Sequence, residues 1–254
     1  MTDDDIALAQ RLADAAGEAI RPFYRARFAI ETKADHSPVT EVDRAAEAAM
    51  RTILERERPG DGINGEEYGA DRPDASRIWA LDPIDGTRAF LAGRPLFGTL
   101  IALIEDGIPV LGLIDQPIAR DRWVGAAGHG TTLNGVAAHV RACPALGRAH
   151  LATTGPNLFA GGKQAAFDRL RDGVGDTLWG GDCHNYALLA SGHLDLVVES
   201  GLKLHDFAAL APVVEGAGGR MTDWQGRALT AASEGDVIAA GDPALIEKAV
   251  EALA

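Results

Sequence analysis

Residues 79–87 have the sequence WALDPIDGT, in which two aspartates follow a short apolar run. The apolar run predicts a buried strand, which ends at Asp82 and Asp85 with Pro83 between them. Proline stiffens the turn, and Gly86 permits a close approach of the backbone. Carboxylates at the end of a strand can share a hard cation through their oxygens. An aspartate-rich turn with side-chain to backbone hydrogen bonds is the alternative interpretation.

Two amphipathic helices are predicted upstream of this stretch. Apolar residues recur at helical spacing over residues 3–28 and again over residues 40–57. Pro22 is expected to bend the first helix or to end it early. Thr40 and Asp43 fit a capping signal at the start of the second helix, which gives Asp43 a purely structural interpretation.

Antiparallel strands are predicted downstream. Residues 99–104 and 110–114 are apolar runs joined by a turn around Gly107, which is typical of a hairpin, and a further strand is expected near 136–142. Two helices followed by antiparallel strands indicate an α+β unit. We therefore predict an N-terminal α+β half over residues 1–142, with an antiparallel sheet.

A second half, residues 143–254, is predicted to be α/β because strands and helices alternate after the segment ACPALG at 142–147. The predicted strands are 149–154, a short one near 177, 193–199, 220–224 and 237–240. The predicted helices are 163–171, 182–191, 206–217 and 242–253.

Composition narrows the class of partner. The chain has 254 residues and a formal net charge of −13. This charge argues against a nucleic-acid partner, since binding the phosphate backbone requires a basic face. A small phosphate is still compatible, because a bound metal reverses the local field. No stretch approaches the ~18 apolar residues of a transmembrane helix, so no membrane partner is expected.

The cysteines and the N-terminal residues indicate the cellular compartment in which the protein is expected. Cys143 and Cys183 form no Cys-x-x-Cys pair and are predicted to be buried thiols in a reducing compartment. The N-terminus is acidic where a signal peptide would be basic. The expected location is therefore cytoplasmic.

Two further acidic positions have simple structural interpretations when considered alone. Residues 64–69, NGEEYG, suggest a solvated acidic loop, and Asp206 fits an N-cap before an apolar helix. The sequence lacks a P-loop, a zinc-binding cluster and a Gly-x-Ser-x-Gly elbow. Carboxylate oxygens remain as the reactive groups, and such donors favour magnesium or manganese.

Taken together, these segments resemble the inositol monophosphatase superfamily. The similarity rests on GEE at 65–67, DPIDGT at 82–87 and the segment 206–219, in that order and spacing. It implies an α/β sandwich with layers αβαβα. It also implies Mg²⁺-dependent hydrolysis of a small phosphate monoester, two or three Mg²⁺ per site with Mn²⁺ as a substitute, and a homodimer.

The resemblance implies a set of metal ligands. Glu66, Asp82 and the carbonyl of Ile84 would hold a first metal. Asp82, Asp85 and Asp206 would hold a second. The physics agrees, because a phosphate monoester is an anion that repels nucleophiles, and cations on one cluster neutralise it. Such a cluster of carboxylates is costly unless a metal is bound.

The same resemblance assigns catalytic roles. Glu66 and Thr87 would orient the attacking water, with Asp43 behind Thr87. The backbone amides of Gly86 and Thr87 would hold phosphate oxygens. The full set of acidic residues and Thr87 favours catalysis over the alternative of a catalytically idle protein that binds a phosphorylated ligand.

Within the superfamily, residues 179–199 and 201–203 resemble the histidinol-phosphatase branch. His205 stands where inositol phosphatases usually carry tryptophan, which argues against a plain inositol phosphatase. Histidinol phosphate is therefore the expected substrate. The alternatives are inositol 1-phosphate and a 3′(2′),5′-bisphosphate nucleotide.

The branch resemblance also implies a substrate pocket formed by Gly181, Asp182 and Glu199. A pair of carboxylates suits the ammonium group of histidinol phosphate, because charge-assisted hydrogen bonds are about twice as strong as neutral ones. Each carboxylate has an alternative role. Asp182 can cap the helix predicted at 182–191, and Glu199 can accept hydroxyls from inositol.

Overall fold

The computed structural model describes residues 1–26, 30–32 and 38–254 of the chain. The α-helices within these residues are α1 (Asp3–Ile20), α2 (Glu41–Glu57), α3 (Thr87–Leu91), α4 (Lys163–Asp172), α5 (Cys183–Ala190), α6 (Leu204–Gly216) and α7 (Ala244–Leu253). Among them, no helix combines the length and apolarity needed to cross a bilayer.

The strands of the described residues form two sheets and a short ribbon. They are β1 (Ile30–Thr32), β2 (Pro38–Thr40), β3 (Gly62–Gly65), β4 (Gly69–Asp71), β5 (Arg77–Asp85), β6 (Gly98–Glu105), β7 (Ile108–Gln116), β8 (Asp121–Ala126), β9 (Gly130–Leu133), β10 (Val136–Ala137), β11 (His150–Thr153), β12 (Asp176–Trp179), β13 (Leu196–Glu199), β14 (Arg220–Asp223) and β15 (Val237–Ala240).

The larger sheet has the order β10-β9-β8-β7-β6-β5-β3-β4 and is antiparallel except where β3 runs parallel to β5. The smaller sheet has the order β12-β11-β13-β15-β14. In this sheet β11 is parallel to both of its neighbours, whereas β15 is antiparallel to both of its own. Strands β1 and β2 form the antiparallel ribbon.

Strand β6 shows why the layers stack as they do. Leu100 and Ala102 belong to the apolar cluster around α5 and α6, whereas Ile101 and Leu103 belong to the cluster beneath α1 and α2. Successive side chains point to opposite faces of a strand, so this continuous apolar run is buried on both sides. The leucine and isoleucine side chains among them each contribute about 1.5–3 kcal/mol on burial.

A third apolar cluster joins the smaller sheet to α4 and α7, with Phe167 and Leu245 among its fully buried members. The layer order is therefore α1 and α2, the larger sheet, α5 and α6, the smaller sheet, and α4 and α7. The predicted layered αβαβα fold is confirmed. Helix α6 lies very close to the larger sheet because Gly112 has no side chain, and a Cβ there would lie 2.0 Å from the carbonyl oxygen of Ala209.

The strands of the larger sheet all precede those of the smaller sheet along the chain. Helix α6 nevertheless packs against β5, β6, β7 and β8 of the larger sheet. The two halves therefore share one apolar core, and the division remains a prediction about how the chain is organised.

Several predicted elements agree closely with the structure, and others differ. Helix α2 covers 41–57 as expected, and α1 ends at Ile20 with Pro22 inside the short 3₁₀ turn Arg21–Phe23 that follows it. Residues 27–28 of the first predicted helix lie outside the described residues. The strand expected at 136–142 is only Val136–Ala137. Cys183 is buried as predicted, but Cys143 is half-exposed, which corrects that expectation.

Candidate active site

Three aspartates converge where β5 meets α6. Asp82 and Asp85 lie at the end of β5, and Asp206 lies in the first turn of α6. One carboxylate oxygen from each lies within 4.8 Å of the other two. Helix α6 packs against β5, so the sheet and the helix together bring side chains more than a hundred residues apart in sequence into one cluster.

The turn at the end of β5 also contains the local hydrogen bond of an aspartate turn. The Ile84 N–H donates to Asp82 Oδ1 at 2.9 Å, and the pairing with β6 is irregular between Asp82 and Asp85. The Thr87 hydroxyl donates to the Ile84 carbonyl at 3.1 Å. The aspartate turn and the cluster of carboxylates are therefore compatible, because the hydrogen bonds of the turn fix the residues that form the cluster.

Asp206 does not occupy the N-cap position expected for it. Lys203 is the N-cap of α6, and Asp206 is the third helical residue. Its Oδ2 accepts a hydrogen bond from the Lys203 N–H at 2.7 Å, while its Oδ1 lies 3.6 Å from His205 Nε2. An acidic residue at this position can cap the helix by reaching back to the N-cap amide. The carboxylate thus caps the helix and belongs to the aspartate cluster.

Glu66 follows β3 directly and is half-buried beside the cluster. Its N–H donates to the Leu81 carbonyl at 3.1 Å, which continues the pairing of β3 with β5 by one residue. The charge of Glu66 helps to raise the pKa of Asp82. The segment 64–69 is therefore not a simple solvated loop, because Asn64 and Gly65 belong to β3 and the Glu66 amide extends the pairing with β5.

Burial and mutual repulsion make it unfavourable for the carboxylates of this cluster to be ionised together without a cation. Burial raises the pKa of Asp82 well above its ordinary range, and the charges of Glu66, Asp85 and Asp206 raise it further. Burial followed by the charge of Asp182 does the same to the pKa of Asp85. A divalent cation would offset both effects. The oxygen donors present fit a hard cation.

Gly86 and Thr87 lie at the start of α3, next to this cluster. Gly86 has φ +85°, a left-handed conformation that glycine adopts without strain. A Cβ at Gly86 would lie 3.0 Å from Asp182 Cγ. A side chain at this position would therefore be strained and would also push Asp182 away.

Asp43 is buried in the first turn of α2. The helix begins at Glu41, so Thr40 precedes it as the capping interpretation requires, although the Thr40 side chain lies outside the described residues. The contact expected between Asp43 and Thr87 remains a prediction.

A cleft of about 410 Å³ opens beside α3, and Gly86, Thr87, Arg88, Asn157, Gly181 and Asp182 are among the residues that line it. Asp182 is at the N-cap position of α5, but its side chain makes no capping hydrogen bond, so the cap interpretation is wrong. Burial raises the pKa of Asp182 to about 6, and the charge of Arg88 opposes that rise. A larger cleft of about 580 Å³, near Arg21 and Arg122, is lined by neither Gly86, Thr87 nor Asp182.

Glu199 is buried at the end of β13, behind this cleft. Its Oε1 accepts from the Thr154 N–H at 2.9 Å and its Oε2 from the Tyr186 hydroxyl at 3.1 Å. Burial raises its pKa to about 7. The Asp182 N–H in turn donates to Thr154 Oγ1 at 3.1 Å, so Glu199 supports the wall on which Asp182 lies.

The family model described as inositol monophosphatase family matches residues 1–254. The chain belongs to the inositol monophosphatase family. Its fold, its aspartate cluster and its match to this model together make it an inositol monophosphatase family phosphatase, and proteins of this family are generally metal-dependent.

Three relatives illustrate the range of similar proteins. A solved structure of an inositol monophosphatase from Zymomonas mobilis is 62% identical, has a TM-score of 0.92, and aligns over 99% of this chain and 98% of that chain. Bifunctional phosphatase IMPL2, chloroplastic, from Arabidopsis thaliana is 49% identical over 97% of this chain and 74% of its own length. A histidinol-phosphatase from Mycobacterium tuberculosis is 39% identical over 89% of this chain and 90% of its own length.

The structure adds groups to this family site that the sequence analysis did not identify. The Cys183 N–H donates to Asp85 Oδ2 at 2.6 Å, and Arg88 lies in the cleft beside Asp182. A backbone donor carries no sequence signal, because every residue type except proline provides one. Arg88 directly follows the DPIDGT segment, and this adjacency was the only available signal.

Proposed function

We propose that this family phosphatase hydrolyses histidinol phosphate with bound Mg²⁺. The observation that carries the proposal is the position of Asp182, a carboxylate that lines the cleft beside Gly86 and Thr87. A substrate whose ester phosphate lies at Gly86 and Thr87 would bring its leaving group near Asp182, and an ammonium there would gain a charge-assisted hydrogen bond. The printed name of the Mycobacterium tuberculosis relative supports the same substrate.

The proposed metal ligands are Glu66, Asp82 and the Ile84 carbonyl for one ion, and Asp82, Asp85 and Asp206 for a second. Mg²⁺ in this site would neutralise phosphoryl charge and acidify a water molecule. The close approach of the three aspartates supports this assignment. Mn²⁺ also prefers oxygen donors and is the proposed substitute.

The remaining steps of the proposal belong to the chain's own groups. The amides of Gly86 and Thr87 would donate to phosphate oxygens. Thr87 and Glu66 would orient the water whose oxygen forms the new bond to phosphorus, and Asp43 would support Thr87. The bond from phosphorus to the ester oxygen breaks, and the alcohol leaves with a proton. The homodimer and the cytoplasmic location also remain predictions.

Metal binding should be visible in stability. A ligand at about 100 times its Kd stabilises the folded state by about 2.7 kcal/mol, so Mg²⁺ should raise the melting temperature by about 5–10 °C relative to EDTA. The measurement is a thermal melt of the whole chain, with sodium chloride at matched ionic strength as the control. Superimposable curves in EDTA and in millimolar Mg²⁺ would contradict a divalent-cation site.

The substrate is tested by kcat/KM with Mg²⁺ on a panel of esters. We expect histidinol phosphate to exceed inositol 1-phosphate, fructose 1,6-bisphosphate and 3′-phosphoadenosine 5′-phosphate. Inositol 1-phosphate is the second candidate, because the 62% identical solved structure is of an inositol monophosphatase. A higher kcat/KM for inositol 1-phosphate would select that candidate. The absence of turnover on every ester would instead favour a protein that only binds phosphorylated ligands.

A further inference from the structure

The turn that carries Glu66 is attached to α2 through a buried carboxylate. Glu47 is fully buried in α2. Its Oε2 accepts a hydrogen bond from the Glu67 N–H at 2.7 Å, and its Oε1 accepts a longer one from the Tyr68 N–H at 3.3 Å. One side chain of α2 therefore holds two consecutive amides directly after Glu66.

Arg51 completes this attachment one helical turn further along α2. Its Nε donates to Glu47 Oε1 at 2.7 Å, and its Nη2 donates to the Gly69 carbonyl. Its guanidinium carbon also lies 5.8 Å from the centre of the Tyr68 ring. Helix α2 is thus hydrogen-bonded to the turn at the amides of Glu67 and Tyr68 and at the carbonyl of Gly69.

Gly65 allows this attachment to be tight. A Cβ at Gly65 would lie 1.9 Å from Glu47 Oε1 and 2.4 Å from Glu47 Cδ. The Glu47 carboxylate therefore occupies the space where a side chain at Gly65 would be. A side chain at Gly65 would therefore force α2 and the end of β3 apart.

On the other side, Glu66 is attached to β5. The Glu66 N–H donates to the Leu81 carbonyl, one residue before Asp82. Glu66 is therefore fixed between an anchor on β5 and an anchor on α2, and a shift of either anchor would change its distance from Asp82.

We infer that Glu47 is a positioning residue that sets the separation of the Glu66 and Asp82 carboxylates and thereby the affinity of the site for divalent cations. The inference rests on the proposed function, since it assumes that these two residues share a cation. Within the described part of the chain, the groups that bond to Glu47 are donors, namely two amides and a guanidinium. A glutamine would direct its own N–H donors at some of these groups, so the turn could not keep all of its contacts.

The test is cation binding by the full chain without substrate, comparing Glu47→Gln with the parent. The probe is Mn²⁺, whose free fraction is followed by electron paramagnetic resonance, with Mg²⁺ as a competitor. Loss of a group that orients a metal ligand typically weakens binding about 10–100-fold, so we expect Mn²⁺ affinity to fall at least about tenfold. At saturating Mg²⁺, kcat should change much less than the Mg²⁺ concentration required to reach half of it.

The matched control is Glu57→Gln on the same helix. Glu57 pairs with Arg11 and Arg56 near the surface at the far end of α2, away from the turn. This variant makes the same chemical change and also loses ion pairs. We expect its Mn²⁺ affinity to equal that of the parent, which separates positioning of Glu66 from a general loss of helix stability.

The outcomes distinguish this inference from the proposed function. If the parent binds neither Mn²⁺ nor Mg²⁺, the proposed metal site itself fails. If the parent binds and a folded Glu47→Gln binds equally well, only the positioning inference is overturned. Should Glu47→Gln not fold, Glu47→Asp serves instead, because it keeps the charge but draws the carboxylate back from the Glu67 and Tyr68 amides. Parental affinity in that variant would likewise overturn the inference.

Discussion

Replacing Asp82 or Asp85 by asparagine is expected to lower kcat/KM on every phosphate ester by about a thousandfold or more. A neutral amide cannot replace a carboxylate that bridges or balances cations. Metal ions contribute several kcal/mol to the stabilisation of transition-state charge, and each 1.36 kcal/mol corresponds to about tenfold in rate. The measurement is steady-state turnover over a range of Mg²⁺ concentrations.

The fold should survive both substitutions. Asp82 Oδ1 accepts from the Ile84 N–H and Asp85 Oδ2 accepts from the Cys183 N–H, and an asparagine oxygen can accept the same hydrogen bonds. Each substitution also removes one of several mutually repelling charges. We therefore expect no fall in the melting temperature measured in EDTA.

The control for loss of a carboxylate is Asp74→Asn, at an exposed position between β4 and β5. This variant should keep parental turnover. Near-parental turnover of Asp82→Asn or Asp85→Asn at moderate Mg²⁺ would refute the proposed metal ligands.

Local sequence signals were sufficient for the elements that carry their own periodicity. The two apolar runs on either side of Gly107 correspond to β6 and β7. The alternating pattern after residue 143 predicted the strands of the smaller sheet, and the helices α4 to α7, to within a few residues. Short elements lacked such a signal. Strand β3 has the sequence GING and α3 is five residues long, so neither contains a full hydrophobic repeat.

The site residues were predictable where several of them lie in one short segment of sequence. Asp82 and Asp85 were identified from the turn chemistry of a single stretch, but the convergence of Asp206 with them depends on how α6 packs on the sheet. The predicted N-cap, Asp206, lies three residues after the observed N-cap, Lys203. The sequence does not distinguish these positions, because an acidic residue at the third helical position can also bond to the N-cap amide. The role of Glu47 was not predicted, since its partners are backbone amides twenty residues away.

The Asp182→Asn variant is expected to lower kcat/KM for histidinol phosphate by about ten- to a hundredfold. A hydrogen bond to a charged group contributes about 1.5–3 kcal/mol, and the variant leaves the substrate ammonium without its anionic partner. For glycerol phosphate, whose leaving group carries no charge, the loss should be much smaller. Measuring kcat/KM for both esters distinguishes recognition of the ammonium by Asp182 from damage to the metal site, because such damage would slow the hydrolysis of both esters.

The matched comparison is Glu199→Gln, which also removes one negative charge but from behind the cleft. Both Glu199 oxygens accept hydrogen bonds, from the Thr154 amide and the Tyr186 hydroxyl. Glutamine can accept from the Thr154 amide with its oxygen and donate its NH2 to the Tyr186 hydroxyl, so the wall that carries Asp182 should persist and any loss of rate should be small and alike for both esters. If Asp182→Asn hydrolyses histidinol phosphate as fast as the parent does, the ammonium argument is wrong. The family assignment would be unaffected by that result, and inositol 1-phosphate would become the better substrate hypothesis.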